Sequence, residues 1–289
     1  MKNRITGHTI LTALLGSPVA HSISPMMHNE AFQLLDLDYA YLAFDVAPAQ
    51  LGTIVDSFKI MNCRGFNCTM PHKNYICDYL DHFSEAAQLT GAVNTVVNDN
   101  GVLTGHNTDG VGYMQSVKAA GFDVIGKNMT LLGTGGAATA ICAQAALDGV
   151  KELYVFNRRG NSFEKTQPFI DQLNQKTNCK VSLYDLADTT TLKKCLSNSS
   201  LLTNATSVGM APNTDASIIT DPTLFHEELV VSDIIYNPET TLLMKLAQEA
   251  GCKTFNGLYM LLYQGAEAFK LWTGKEMPIE PIKKKYFDR

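Results

Sequence analysis

Several features are scarce or missing in this sequence, and each absence excludes a class of protein. No stretch reaches the roughly 18 consecutive apolar residues of a membrane-spanning helix. Acidic residues outnumber basic ones, 28 to 23, and the net charge of -5 argues against a general nucleic-acid surface. Internal repeats, low-complexity tracts and proline-rich linkers are also missing. We therefore expect neither a nucleic acid nor a membrane as a partner.

Cysteine pairs with a functional spacing are missing too. The seven cysteines form no C-x-x-C pair, and their odd number and apolar surroundings are typical of reduced thiols in a cytoplasmic protein. No H-x-x-x-H or paired Cys/His spacing supports a metal site. Lys2 and Arg4 precede an apolar run at 10–15 that faintly resembles a secretory signal. His8 and polar threonines interrupt it, so we expect no signal peptide.

What the sequence does have is a regular alternation of strand-like and helix-like segments. Its 289 residues are enough for two domains, and a composition of 45% hydrophobic and 18% charged residues is that of an ordered globular protein. Alternating strands and helices predict an α/β fold built on mostly parallel sheets. Near residue 109, a polar turn at 107–110 is followed by a helix that leads into a new series of strands, and we place the domain boundary there. We predict an N-terminal α/β domain at 1–109, completed by helices at 258–289, and a second α/β domain at 110–257.

The pattern places the main elements as follows. In the first domain it predicts strands at 9–15, 39–46, 65–69 and 92–98, helices at 25–35 and 49–60, and a hairpin turn at 99–101. In the second it predicts a helix at 111–120, strands at 129–133, 152–157, 180–184, 201–204 and 229–235, and a helix at 163–176. A last amphipathic helix at 258–273 could return to pack on the first domain.

A glycine-rich turn follows the predicted strand at 129–133. Gly133, Gly135 and Gly136 precede an alanine-rich helix, with Ala138 at the sixth position of the fingerprint. Glycines let the backbone turn tightly and approach a pyrophosphate, and the free N–H groups of the helix end stabilise the anion. The pattern alone is weak, but its place between a strand and a helix favours dinucleotide binding over a structural turn. We therefore predict that the domain at 110–257 is a Rossmann-type dinucleotide-binding domain.

The strand at 152–157 ends in two arginines. The acidic residue expected there in NAD-binding proteins, which binds the ribose 2′-hydroxyl, is absent, and Arg158 and Arg159 stand in its neighbourhood. A guanidinium fork matches a 2′-phosphate and can stack on adenine. The pattern therefore favours NADP, although a solvated basic strand end is the alternative interpretation.

Short polar residues recur at the predicted turns of the first domain. Ser22 and Ser24 stand just before a helix, where one of them could serve as its N-cap. Thr69 and Lys73 flank a proline turn, and Asn94 follows an apolar entry. Each alone is explained by a turn. Together they form the set of short donors and acceptors that a hydroxyl-rich ligand needs, because a buried hydroxyl left unpaired is costly.

Oxidation of a secondary alcohol by hydride loss also requires a group that takes the hydroxyl proton. Lys73 is the lysine of this set, and Asp109 could orient it and the substrate hydroxyl, although a close anion raises a lysine pKa. His72 is the alternative acid or base, because its unperturbed pKa lies nearer neutrality.

Seven short motifs, taken in order, resemble those of the shikimate dehydrogenase family, and the likeness covers essentially the whole chain. They lie at 22–25, 67–73, 91–95, 107–110, 133–137, 157–158 and 264–266. The resemblance implies a two-domain α/β enzyme, in which a deep cleft separates an N-terminal α/β substrate domain, here at 1–109, from the dinucleotide-binding domain. Such an enzyme reversibly reduces 3-dehydroshikimate to shikimate in aromatic amino acid biosynthesis.

The resemblance also implies roles for particular residues, and it makes a homodimer possible. Lys73 would be the catalytic acid/base, paired with Asp109. The implied substrate-side residues are Ser22, Ser24, Tyr41, Thr69, Asn94, Asp109, Tyr236 and Gln264. The implied cofactor contacts are Gly133, Thr134, Gly135, Gly136, Ala137, Asn157, Arg158, Arg159, Ile234 and Gly257.

One departure from the family pattern concerns the cofactor. A small hydroxyl residue is usual after Asn-Arg, but Arg159 stands there, followed by Gly160. An Asn-Arg-Arg run also resembles the quinate/shikimate branch, which accepts NAD and carries an acid at the next position. Because Gly160 lacks that acid, NADP remains the first expectation, with an NAD-accepting quinate/shikimate dehydrogenase as the alternative. Lys73 and Asp109 argue against a third reading, a non-catalytic nucleotide-binding sensor.

Overall fold

The computed structural model describes residues 5–288, so Lys2 and Arg4, on which the secretory-signal interpretation depends, lie outside the described residues. The chain divides into two compact units. The first runs up to Thr108 and resumes at Leu262, and the second spans Asp109–Leu261. Each is an α/β unit with its own six-stranded sheet.

The first sheet has the order β2-β1-β3-β5-β6-β4. Its strands are β1 (Ile10–Gly16), β2 (Tyr39–Asp45), β3 (Gly65–Cys68), β4 (His82–Phe83), β5 (Thr95–Asp99) and β6 (Val102–His106). β1 pairs in parallel with β2 and β3, whereas β5 is antiparallel to β3 and β6. The inner strand β1 is buried from Thr12 to Gly16, as its apolar run predicts.

The predicted hairpin turn is confirmed. β5 and β6 are joined through Asn100 and Gly101, both with positive φ, 55° and 95°. This is the combination that a tight turn of the type I′ class requires. The strand predicted at 92–98 begins only at Thr95, because a short helix precedes it and ends at Gly91 in the left-handed region.

Four helices belong to the N-terminal part of the first unit: α1 (Ser24–Leu34), α2 (Leu51–Ile60), α3 (His72–Tyr75) and α4 (Glu85–Thr90). A 3-10 turn at Pro48–Gln50 leads into α2, where the pattern predicts one helix at 49–60. One face of α2 carries Val55 and Phe58, which pack with Phe66 of β3 and Val96 of β5. This core fixes the ends of β3 and β5, where the predicted polar residues lie.

The second sheet is entirely parallel, with the order β12-β11-β10-β7-β8-β9. Its strands are β7 (Asn128–Leu132), β8 (Glu152–Asn157), β9 (Lys180–Asp185), β10 (Leu201–Asn204), β11 (Val230–Asp233) and β12 (Lys253–Phe255). The order reverses between β7 and β10, which is the doubly wound arrangement of dinucleotide-binding domains. The predicted Rossmann topology is therefore confirmed.

Five helices complete this unit: α5 (Asp109–Ala119), α6 (Gly136–Asp148), α7 (Asn161–Lys176), α8 (Thr189–Ser197) and α9 (Leu242–Glu249). A Cβ at Gly110 would overlap the carbonyl oxygen of Ala140. The glycine of the motif at 107–110 thus has a packing reason, since it lets α5 approach α6 closely.

The chain then returns to the first unit through α10 (Leu258–Thr273) and α11 (Ile279–Tyr286). The helix predicted at 258–273 has these bounds, and its buried Phe269 stacks on Phe32 of α1 with ring centroids 5.1 Å apart. None of the helices in residues 5–288 has the length and apolar character needed to span a bilayer.

Candidate active site

The two serines at the start of α1 occupy different positions. The N-cap residue of α1 is Ile23, and no side-chain cap hydrogen bond is formed there in the part of the chain that the structure describes, so the alternative interpretation of a serine N-cap is wrong. The Ser22 hydroxyl instead accepts the backbone N–H of Ser24 at 3.2 Å. Ser24 is the first helical residue, where its side chain reaches Tyr41.

Tyr41, on β2, is the neighbour of Ser24. Its side chain is fully buried, its hydroxyl donates to Asn67 Oδ1 at 2.7 Å, and Ser24 is a second partner. Burial raises the pKa of Tyr41 well above its usual range. Tyr41 thus has no exposed surface and contacts one other predicted substrate residue, Ser24.

Asn94 is the centre of a buried polar cluster in the first unit. Its Oδ1 accepts the backbone N–H of Thr108 at 2.7 Å, and its Nδ2 donates to Thr108 Oγ1 at 2.9 Å. The same amide nitrogen lies 3.4 Å from Gln264 Oε1 on α10. Thr95 Oγ1 joins Thr108 Oγ1 at 3.2 Å. The structure thus brings together two predicted site residues, Asn94 and Gln264, although 170 positions separate them in the chain.

The segment after β3 carries Thr69 and Lys73. The backbone N–H of Thr69 donates to Leu15 of β1 at 2.9 Å, and the Lys73 carbonyl accepts the N–H of Val93 at 2.8 Å. Lys73 is therefore held next to the chain that leads into Asn94. Burial raises the pKa of the Cys68 thiol, and the nearby Lys73 ammonium opposes that shift.

His72, the alternative acid or base, points into the protein. It is fully buried, and its Nε2 lies 2.8 Å from the carbonyl oxygen of Val46. Because a carbonyl only accepts, this nitrogen carries the proton. A fully buried side chain that is bonded to a backbone carbonyl is a structural group. Lys73 therefore remains the predicted acid or base.

Asp109 and Tyr236, both predicted on the substrate side, belong to the second unit. Asp109 is the first residue of α5, directly after Thr108 of the buried cluster. Tyr236 follows β11 and is 49% exposed, which is unusual for a large aromatic side chain and leaves its surface available to a ligand. The pairing of Asp109 with Lys73 stays a prediction.

The glycine-rich turn joins β7 to α6. Gly133 has φ 105°, and a Cβ there would lie 2.8 Å from Thr206 Cγ2, so this position requires glycine. A Cβ at Gly135 or Gly136 would meet nothing within 4 Å. Gly135 is the N-cap of α6, and among residues 5–288 no side-chain hydrogen bond caps the start of this helix. Open space above exposed N–H donors fits a pyrophosphate.

A trio of polar side chains joins the glycine turn to the start of α7. Asn157 Nδ2 donates to Thr134 Oγ1 at 2.7 Å, and Ser162 Oγ lies 3.1 Å from the same hydroxyl. The structure therefore brings together two predicted cofactor residues, Thr134 and Asn157. Ser162 was missed by the sequence reasoning, since a serine after Gly160 and Asn161 carries only a helix-start signal.

The arginines at the end of β8 are both exposed. The Arg159 guanidinium lies over the Phe163 ring, 4.3 Å from its centroid, and Arg159 Nε is 3.4 Å from Asp185 Oδ2. Neither Phe163 nor Asp185 was predicted as part of the site.

At the other side of the sheet, Ile234 and Gly257 approach each other closely. A Cβ at Gly257 would overlap the Ile234 carbonyl, so only glycine fits. The preceding Asp233 is fully buried. It accepts hydrogen bonds from Asn204 Nδ2 at 3.0 Å, Thr241 Oγ1 at 2.8 Å and the N–H of Ile235 at 3.0 Å. Burial raises the pKa of Asp233, and these donors oppose the shift.

These features define the second unit as a dinucleotide-binding domain and the chain as an α/β protein of the dehydrogenase type. Comparison with known proteins gives the family. Residues 14–96 match the shikimate dehydrogenase substrate-binding domain, and residues 257–285 match the shikimate 5′-dehydrogenase C-terminal domain.

Similar proteins match over nearly the whole chain. The shikimate dehydrogenase (NADP(+)) of Listeria innocua is 53% identical over 98% of each chain, and that of Streptococcus uberis is 48% identical over 100% of this chain and 99% of its own. The crystal structure of Listeria monocytogenes shikimate 5-dehydrogenase with shikimate and NAD is 52% identical, covers 99% of both chains and has a TM-score of 0.96. The chain belongs to the shikimate dehydrogenase family, so the predicted family is confirmed.

Proposed function

We propose that the chain is a shikimate dehydrogenase that reversibly reduces 3-dehydroshikimate to shikimate with NADP. The observation that carries the proposal is the 53% identity with the NADP-dependent enzyme of Listeria innocua over 98% of both chains. The residues of the Asn94 cluster support it, because they supply the buried amides and hydroxyls that a polyhydroxylated ring requires. NADP also fits the open glycine turn and the two exposed arginines.

Each predicted site residue has its own role in the reaction. NADPH supplies the hydride to the carbonyl carbon of the substrate when it is bound. Lys73 donates a proton to the carbonyl oxygen as it becomes the alcohol, and takes that proton back in the oxidation. Asp109 orients the ammonium. Ser22, Ser24, Thr69, Asn94 and Gln264 hold the carboxylate and hydroxyls, which fixes the reacting carbon.

Initial rates with two cofactors and two substrates test the proposal. We expect NADP with shikimate to give faster nicotinamide reduction than NAD with quinate. The opposite ranking would establish the alternative, a quinate/shikimate dehydrogenase that accepts NAD. No turnover in any of the four combinations would leave the nucleotide-binding sensor.

Substitution of Lys73 tests the mechanism. Lys73→Gln should lower kcat by about 10²–10⁴-fold, the usual contribution of a general acid or base, while substrate still binds. Lys59→Gln on α2 is the matched control and should leave kcat unchanged. A Lys73→Gln enzyme with normal turnover would remove the proton-transfer role.

The cellular setting follows from the same proposal. All seven cysteines are free, which supports a cytoplasmic location. The homodimer stays a prediction, and light scattering on the purified protein tests it.

A further inference from the structure

In the fold, an acidic residue lies near the end of β8, although none follows that strand at 158–160 in the sequence. β9 runs parallel to β8, and their register places Asp185 beside Asn157. The Asp185 carboxylate lies 3.4 Å from Nε of Arg159, the second arginine after that strand. The neighbouring strand thus brings an anion next to the end of β8, the strand after which NAD-binding domains carry their acidic residue.

The carboxylate is the fixed member of this pair. Asp185 Oδ1 accepts the N–H of Ala187 at 3.0 Å, and the Asp185 carbonyl accepts the N–H of Asp188 at 3.0 Å. The Asp185 side chain is 26% exposed, whereas that of Arg159 is 68% exposed. The guanidinium therefore docks onto an anion that the backbone already holds.

Phe163 holds the same guanidinium from another side. The ring is buried on the first turn of α7, and Arg159 Cζ lies 4.3 Å from its centroid. One face of the guanidinium covers Phe163, and its Nε edge is turned to Asp185. Neither of these two contacts uses the terminal nitrogens of the guanidinium, and that fork of donors matches a phosphate.

We propose that Asp185 is a specificity-determining residue that lowers the preference of this enzyme for NADP over NAD. The inference rests on the proposed function. The carboxylate partly neutralises Arg159 and repels a 2′-phosphate, but it does not repel a 2′-hydroxyl. Asp185 thereby permits both cofactors, whereas Arg159 alone would favour the phosphorylated one.

Binding of two nucleotide fragments tests this without turnover. Dissociation constants of adenosine 2′,5′-bisphosphate and of 5′-AMP are measured by calorimetry for the wild type and Asp185→Asn. Asparagine keeps the oxygen that faces the Ala187 N–H, so the loop geometry is retained. We expect the bisphosphate to bind about two- to fivefold more tightly to the variant, the range of one exposed ion pair. The affinity for 5′-AMP should change less than twofold.

Asp171→Asn is the control, since it removes the same charge from an exposed position on α7. It should change neither affinity. Equal shifts for both nucleotides in Asp185→Asn, or weaker binding of the bisphosphate, would overturn the role of Asp185. A wild type that binds both fragments but oxidises neither shikimate nor quinate would refute the proposed function while leaving this inference standing. A wild type that binds neither fragment would overturn both.

Discussion

The indole nitrogen of Trp272 donates a hydrogen bond to the carbonyl of Val96 at 3.0 Å. This contact holds α10 against β5. Gly65 leaves the space for it, because a Cβ there would overlap both the indole and the Val96 carbonyl. Arg64 adds a bond from Nε to the Trp272 carbonyl at 3.0 Å. A glycine without positive φ is thus required here by packing alone.

Gly65→Ala should therefore destabilise the protein by about 3 kcal/mol, at the upper end of the usual cost of overpacking, because the added methyl meets backbone on one side. Urea unfolding followed by tryptophan fluorescence measures the change, since Trp272 is the single tryptophan. Gly7→Ala is the control, with nothing within 4 Å of the added Cβ. A Gly65→Ala midpoint equal to that of the control would show that α10 does not depend on this space.

His28 should make the protein sensitive to acid. Within residues 5–288, neither of its buried ring nitrogens has a hydrogen-bond partner, and its ring stacks on Tyr41 with centroids 4.5 Å apart. Burial lowers the pKa of His28 from 6.5 to about 3. The folded state thus keeps this imidazole neutral while the unfolded chain takes up a proton, so stability is full above pH 6.5 and falls as the pH drops towards 3.

His28→Phe keeps a stacking ring and removes the titration. Between pH 6 and 4, the free energy of unfolding of the wild type should fall by about 1.4 kcal/mol per pH unit more steeply than that of the variant. The slope, measured by urea unfolding at several pH values, is the readout, because an offset from packing does not affect it. His8→Gln, at an exposed position, should follow the wild type. Parallel curves for wild type and His28→Phe would contradict the buried neutral imidazole.

Tyr41→Phe tests whether Tyr41 supports the structure of the site or contacts the substrate directly. Loss of the hydroxyl leaves Asn67 Oδ1 without its buried donor, which should lower the free energy of unfolding by about 1–3 kcal/mol. Because Tyr41 has no exposed surface, the KM for shikimate should change less than about threefold. Tyr79→Phe, at an exposed position, is the control for stability. A large rise in KM with unchanged stability would place Tyr41 on the substrate instead.

Exchanging Asp233 and Asn204 tests whether their side chains depend on each other. In Asp233→Asn the new amide faces the Asn204 amide, donor against donor, which should cost about 1–3 kcal/mol and raise the KM for NADP, because Ile234 is the next residue. The double variant Asn204→Asp, Asp233→Asn restores a donor opposite an acceptor. We expect it to recover at least half of both losses. Losses that simply add would show that the two side chains act independently.

Local sequence carries much of the fold. β8 and α10 have their predicted bounds because their apolar residues recur in a strand-like or helix-like pattern that turn residues end. β10 also has its predicted bounds. β4 has two residues and β12 three, too few to show a period, and both exist because a neighbouring strand pairs with them. α4 could have been predicted from its caps, since Ser84 precedes Glu85 and Gly91 follows Thr90.

The sequence likewise predicts one part of the site, and the fold alone shows the other part. Motif order names Asn94 and Gln264, but only the fold shows that they share a hydrogen-bonded cluster with Thr108. Asp185 escaped the sequence reasoning because its place beside Asn157 is set by strand register, which no local pattern reveals. The burial of Tyr41 escaped it for a related reason, since α10 contributes Trp272 to its surroundings from far along the chain.

The seating of Trp272 against Val96 has a consequence for synthesis on the ribosome. The indole emerges 176 residues after the carbonyl that it binds. At about 5–20 residues per second, the N-terminal sheet waits on the order of ten seconds or more for α10, and the intervening nucleotide-binding unit is translated during that time. The first part of this enzyme to be translated is therefore the last to be closed, and a chain truncated between Leu261 and Trp272 has its whole inserted unit but lacks the indole that closes its N-terminal core.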